Sequence, residues 1–207
     1  MSTAAAPLVL RGPTVTLRPL AESDAGALAA AASESRQPYG YTRVPDGVDE
    51  ARRYIELALT ERDAGRRLPF AILWQDRLVG STSYLEIQRW RWPAGSPLQR
   101  TDHPDVVDIG ATWLAASAQR TRCNTEAKLL MLTHAFDVWR VHRVALKTDE
   151  RNAASRRAIE RLGARFEGVR RGDMPGQDGS VRHSAYYSIV QAEWPAVRKT
   201  LEDALGG

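Results

Sequence analysis

The sequence predicts an α/β fold, a mixed sheet with helices packed on its faces. Three observations lead there. Seven short segments show strand-like alternation or apolar runs, and five longer ones repeat their apolar residues at helical spacing. The two kinds interleave as β–α–α–β–β–β–α–β–α–β–β–α. Gly and Pro punctuate the chain at short intervals, with no internal repeat or low-complexity linker, as one compact domain requires.

Taken in order, Thr14–Leu20 alternates and is a strand, after which Ser23 or Asp24 can cap an alanine-rich helix. Val48–Ala64 places Tyr54, Ile55, Ala58 and Leu59 on one helical face. Phe70–Trp74 and Leu78–Ile87 form a hairpin about a turn at Gln75–Arg77. Residues 89–104 hold Trp90, Trp92, Pro93, Gly95, Pro97 and Pro104, too many breakers for regular structure, and are a long loop. In the strand Val106–Leu114, alternation sets Val107, Ile109, Ala111 and Trp113 on one face and Asp108, Gly110 and Thr112 on the other. A helix follows over Asn124–Arg140, then a strand over Val141–Thr148. Asn152–Leu162 is a capped helix stopped by Gly163. Arg165–Arg170 and His183–Val190 are closing strands, and Trp194–Leu205 a terminal helix with Pro195 in its first turn.

Composition narrows the function. The chain has 207 residues, 43% hydrophobic and 26% charged, which suits one domain over residues 11–207. The opening MSTAAAPLVL, residues 1–10, lacks a basic segment and reads as a loose tail. No stretch nears the roughly 20 apolar residues of a membrane helix, so a cytoplasmic protein is expected. The single cysteine, Cys123, excludes an intramolecular disulfide and a multi-cysteine metal site, and no metal is expected. The formal charge of +4 and isoelectric point near 9.5 suggest an anionic partner. The arginines are spread along the chain with no block of like charges, and no nucleic-acid recognition helix or stacking motif is visible. A mildly basic enzyme that binds a phosphorylated co-substrate would show the same balance, and charge alone does not decide.

Two segments carry chemistry. VVDIGATWL, AASAQRTR and CNTEAKLLMLTHAF read as strand, polar connector and helix. A helix N-terminus has unpaired N–H groups and a partial positive charge, so it can hold a phosphate or pyrophosphate. Arg120 and Arg122 could reinforce it, and Asn124 is a candidate N-cap. A plain β–α connection with solvated arginines would look the same. In DERNAASRRAIERLG, Asn152 caps a helix and Ser155 shares a face with Ile159 and Leu162, where its hydroxyl needs a partner, its own backbone included.

Together these segments resemble the GNAT (GCN5-related N-acetyltransferase) superfamily, specifically its RimJ/RimL-like branch. Thr125-Glu126-Ala127 is similar to the T-E-A that follows the family's pyrophosphate loop. Asn152, Ser155, Leu162, Gly163 and Ala164, then Phe166-Glu167-Gly168, resemble its second motif, and TVTLRPLAESDAGAL its opening strand and helix. The likeness spans about residues 12–195. It implies a twisted, mostly antiparallel mixed sheet of about seven strands with helices on both faces, splayed at an acyl-CoA cleft. It implies acetyl-CoA as co-substrate and transfer of its acyl group to a primary amine, in a monomer or homodimer. The donor would lie along Leu114 and Ala115, its pyrophosphate on Arg120, Thr121, Arg122, Cys123, Asn124 and Thr125, its thiol end beside Asn152 and Ser155. Ser155 could bond the leaving thiolate. Asp108 is the candidate base, with Tyr186 or Tyr187 in reserve as acid. Tyr39, Tyr84, Trp90 and Tyr186 are candidate acceptor contacts, together with Tyr41, Trp92 and the loop around Met174. His134, His142 and Glu126 read as structural.

One feature departs from the family pattern. Its loop carries small residues where this chain has Arg122 and Asn124. That favours either an arginine-assisted donor site or a silent domain that binds CoA or a partner without turnover.

Overall fold

The computed structural model describes residues 7–206. Eight strands form a single sheet: β1 (Leu10–Arg11), β2 (Val15–Pro19), β3 (Arg67–Trp74), β4 (Arg77–Gln88), β5 (Val106–Leu114), β6 (Arg143–Asp149), β7 (Arg165–Pro175) and β8 (Val181–Val190). Their order is β1-β2-β3-β4-β5-β6-β8-β7, and every neighbouring pair is antiparallel except β5–β6. The helices are α1 (Ala25–Ser33), α2 (Gly47–Asp63), α3 (Cys123–Thr133), α4 (Ala153–Arg161) and α5 (Trp194–Gly206). The expected mixed sheet with helices on its faces is present, with one strand more than expected. The addition is β1, whose Leu10 and Arg11 pair with Leu17 and Thr16 at the end of the segment read as a tail. Residues 1–6 of that segment lie outside the described residues.

Strand alternation sends side chains to two helix layers. On β4, Thr82 and Tyr84 face α3: the Tyr84 hydroxyl donates to the Met131 carbonyl at 2.6 Å. Ser83 faces the other way, where Arg67 donates to its hydroxyl at 2.8 Å and lies over the Tyr54 ring of α2. Gly80 is required on this strand, because a Cβ there would sit 2.1 Å from the Trp113 carbonyl oxygen.

Two expectations change. Ala111 does not share a face with Val107 and Ile109. Its φ is 49° and the β4–β5 register slips between Ser81↔Trp113 and Ser83↔Gly110, so β5 carries an extra residue there, a β-bulge that turns Ala111 outward. The predicted helix 124–140 stops at Thr133 and continues as a π turn over His134–Val138. Gly163, with φ 88°, ends α4 as expected.

Among the described residues, no helix is long and apolar enough to cross a membrane, and no group of three or more His, Cys, Asp or Glu could hold a metal ion.

Candidate active site

The sheet opens between its two parallel strands. Only Val106–Asp108 pair with Arg143–Ala145; from Leu146 onward β6 pairs with β8 alone, and Ile109–Leu114 pair only with β4. The strands therefore part toward their C-terminal ends, where each leads into a helix. Ligands of open α/β sheets settle at such carboxyl ends.

On the β6 side the expected cap is present. Asn152 Oδ1 accepts the Ser155 N–H at 3.0 Å. The Ser155 hydroxyl is half-buried and has no hydrogen-bond partner among the described residues, so it does not bond back to its own helix.

On the β5 side the connector is shaped differently from the expectation. Arg122, not Asn124, is the N-cap residue, and it uses no side-chain cap; Asn124 already lies inside α3. The backbone of Arg122 is ordinary right-handed helical (φ −71°), which any residue accepts, and so an arginine fits where the family pattern has a small residue. The left-handed residue is Arg120, with φ 58°. The Thr121 hydroxyl donates to the Ala118 carbonyl at 2.7 Å and accepts the Cys123 N–H at 3.2 Å. Arg120 and Arg122 are exposed, and Thr125 is half-buried in the first turn. Cys123 is buried, and burial pushes its thiol up to about 12, which disfavours the thiolate. The Leu114 carbonyl accepts from Tyr39 Oη and Gln119 Nε2, both at 2.8 Å, and the Ala115 N–H donates to Val79 at 2.7 Å. These backbone groups are thus already engaged within the protein.

The helix α3 is fastened through buried charge. Glu126 accepts from the Thr14 N–H (2.8 Å), the Val15 N–H (2.9 Å) and the Thr14 hydroxyl, tying its first turn to β2. Lys128 is fully buried; its amine donates to Thr112 Oγ1 at 2.7 Å, and burial lowers its pKa to about 7. No local pattern singles out this lysine, because a charged residue at that spacing reads as solvated, and its burial depends on the strands packed against the helix.

Beside the opening, on the α2 face of the sheet, lies a groove of about 520 Å³ lined by Glu86, Asp108, Ala145, Lys147, Arg170 and Tyr186, with the Arg143–Glu167 pair (2.6 Å) on its wall. Asp108 faces Ala145 across the last rung before the strands part. Its carboxyl is pushed above the usual range by burial, with Lys147 pulling the other way. The Tyr186 hydroxyl receives Arg170 (3.2 Å) and Lys147 (3.3 Å) and donates to Asp173 at 3.1 Å. Of the tyrosine pair, Tyr187 points away and accepts from Arg156 at 2.9 Å.

Three expected acceptor contacts lie elsewhere. Tyr84 is wholly buried beneath α3. Tyr39 is buried against Trp113, its hydroxyl committed to Leu114. Trp90 does not line the groove: its ring stacks on His142 at 5.6 Å, while Asp105 accepts its N–H (2.7 Å) and the Trp92 indole N–H (3.0 Å). These side chains satisfy packing and hydrogen-bonding needs of the core and the long loop. Glu86, Lys147 and Arg170 were missed. Alternation would have set Lys147 opposite Tyr186; Glu86 owes its place to a second bulge, between Leu85 and Gln88, that no local pattern announces.

A family model described as an acetyltransferase (GNAT) domain matches residues 14–165. The chain belongs to the GNAT family. Among solved structures, a presumed acetyltransferase is 33% identical, with 99% of this chain and 97% of that one covered and a TM-score of 0.79. A presumed acetyltransferase from T. thermophilus is 32% identical over 98% of this chain and 100% of that one, also at 0.79. Mycobacterium smegmatis RimJ, solved in complex with a CoA disulfide, is 23% identical, with 96% and 93% covered and a TM-score of 0.74, a likeness of fold. No protein of curated function matches the chain by sequence. In this GNAT domain the two parted strands lead on to helices, β5 to α3 and β6 to α4.

Proposed function

We propose that this GNAT domain is an acetyl-CoA-dependent N-acetyltransferase acting on a primary amine, with the donor in the opening between β5 and β6. The observation that supports this most is the break in the β5–β6 ladder beyond Asp108–Ala145, after which β5 leads on to α3 and β6 to α4. The α3 N-terminus with Arg120, Thr121, Arg122, Cys123, Asn124 and Thr125 suits a pyrophosphate, through backbone N–H groups, helix dipole and guanidinium charge. Backbone along Ile109–Leu114, unpaired toward β6, suits the pantetheine arm. Leu114 and Ala115 contribute shape at its end.

Asp108 stands at the groove side of the opening and serves as the base. The neutral amine attacks the thioester carbonyl, a C–N bond forms, and Asp108 takes the excess amine proton directly or through water. The C–S bond then breaks, and the Ser155 hydroxyl is placed to hydrogen-bond the departing thiolate. Positioning and charge stabilisation do most of this work.

A thiol-release assay with acetyl-CoA and a panel of amines and peptides tests the proposal. Turnover is expected with at least one primary amine, and CoA binding without release on any would instead fit a silent domain. Asp108→Asn is expected to lower kcat by about 10²–10³. It should also remove a rising acid limb lying above the ordinary carboxylate range. Stability should move the other way. A raised carboxyl pKa stabilises the fold below the unfolded value and loses that contribution as pH climbs through the folded one, so the variant should be at least as stable at neutral pH.

A further inference from the structure

The groove beside the opening has two ends of opposite sign. At the β4–β5 end stand Glu86 and Asp108, and neither carboxylate has a hydrogen-bond or ion-pair partner among the described residues. Across Ala145, at the β6–β8–β7 end, stand Lys147 and Arg170. One buried carboxylate, Asp173, answers both, at 3.6 Å from Lys147 and 3.2 Å from Arg170. Two cations against one anion leave a positive charge in excess there. The remaining pair on the wall, Arg143 with Glu167, is internally balanced. Ala145 contributes only a methyl group, which keeps the floor between the ends open. Lys147 lies two residues beyond it on the same face, about 7 Å along the strand.

We infer that the acceptor carries a carboxylate close to its reacting amine, the amine meeting Asp108 and Glu86 and the carboxylate meeting Lys147 and Arg170. This rests on the reading of the groove as the acceptor site. A simple alkylamine would leave the surplus positive charge of the basic end unmet, and a polyamine would set a second cation against it. Two sources share the required chemistry, a peptide N-terminus followed by an acidic residue and a free amino acid. Charge left in excess at each end of the groove selects partners by sign, through attraction to one and repulsion of the other.

The test uses four-residue peptides Ser-Glu-Ala-Ala, Ser-Gln-Ala-Ala and Ser-Lys-Ala-Ala, with free serine and serine amide as a second arm. Each is titrated calorimetrically into the CoA-saturated protein and run in the thiol-release assay. The acidic peptide should bind about five- to tenfold more tightly than the glutamine peptide, and the lysine peptide most weakly. Free serine outranking its amide by more than the acidic peptide outranks the neutral one would assign the amino-acid source; the reverse would assign the peptide. Lys147→Glu should invert the order of the peptides. Arg170→Gln, at a mostly exposed side chain, should shrink the acidic preference. Equal binding of the three peptides, or a preference for the lysine peptide in the unaltered protein, would overturn the inference even with turnover intact. Selective binding of acidic acceptors without thiol release would keep it and defeat the acetyl-transfer reading.

Discussion

The two parallel strands enter their helices by different means. β6 passes into α4 through a local device: one asparagine accepts one N–H three residues on. β5 passes into α3 with no side-chain cap, an arginine in the left-handed region, and a first turn fastened by Glu126 to β2, more than a hundred residues away in sequence. The first junction is closed by its own sequence and the second by the tertiary fold. A loop secured from outside can exchange small residues for arginines without losing its shape, because its geometry does not depend on them.

Removing the outside anchor should therefore cost most. Glu126→Ala strips three donors, two on Thr14 and one on Val15 at the start of β2, of their charged acceptor and is expected to lower stability by about 3–5 kcal/mol, read by urea unfolding. A loss under about 1 kcal/mol would show that the junction holds itself. Lys128 should give α3 a pH signature that α4 lacks. Its folded pKa, about 7, lies below the unfolded value, so the unfolded chain binds more protons between about 7 and 10. Stability should rise with pH across that window by about 1 kcal/mol per unit, and Lys128→Met should flatten the slope measured between pH 7 and 8.5.

These residues also mark where the sequence was legible. The strand and helix order, the Asn152 cap, the Gly163 stop and the placing of Asp108 and Tyr186 beside the opening all follow from patterns a few residues long. The bulge at Ala111, the burial of Tyr39 and Tyr84, and the groove positions of Glu86 and Arg170 depend on which strand lies alongside, and no local period encodes that. The shape of the loop at 119–122 belongs with them. A pattern of small residues predicts strain at position 122, whereas the chain places its positive φ at Arg120.

Two smaller changes separate the junctions by function. Arg122→Ala should weaken acetyl-CoA binding by about five- to tenfold, as loss of a charge-assisted phosphate contact would, with the acceptor KM unchanged. An unaltered donor affinity would remove Arg122 from the phosphate site. Asn152→Ala should cost about 1 kcal/mol of stability through the lost cap. Its effect on donor affinity should be smaller than that of Arg122→Ala, since it lies at the thiol end.

The measurement that bears most directly on the central claim is calorimetric titration of the protein with acetyl-CoA, repeated with Arg122→Ala. Saturable binding of one donor per chain, weakened in the variant, is the predicted result. Absence of binding at millimolar acetyl-CoA would contradict the assignment of the opening between β5 and β6 as a donor site.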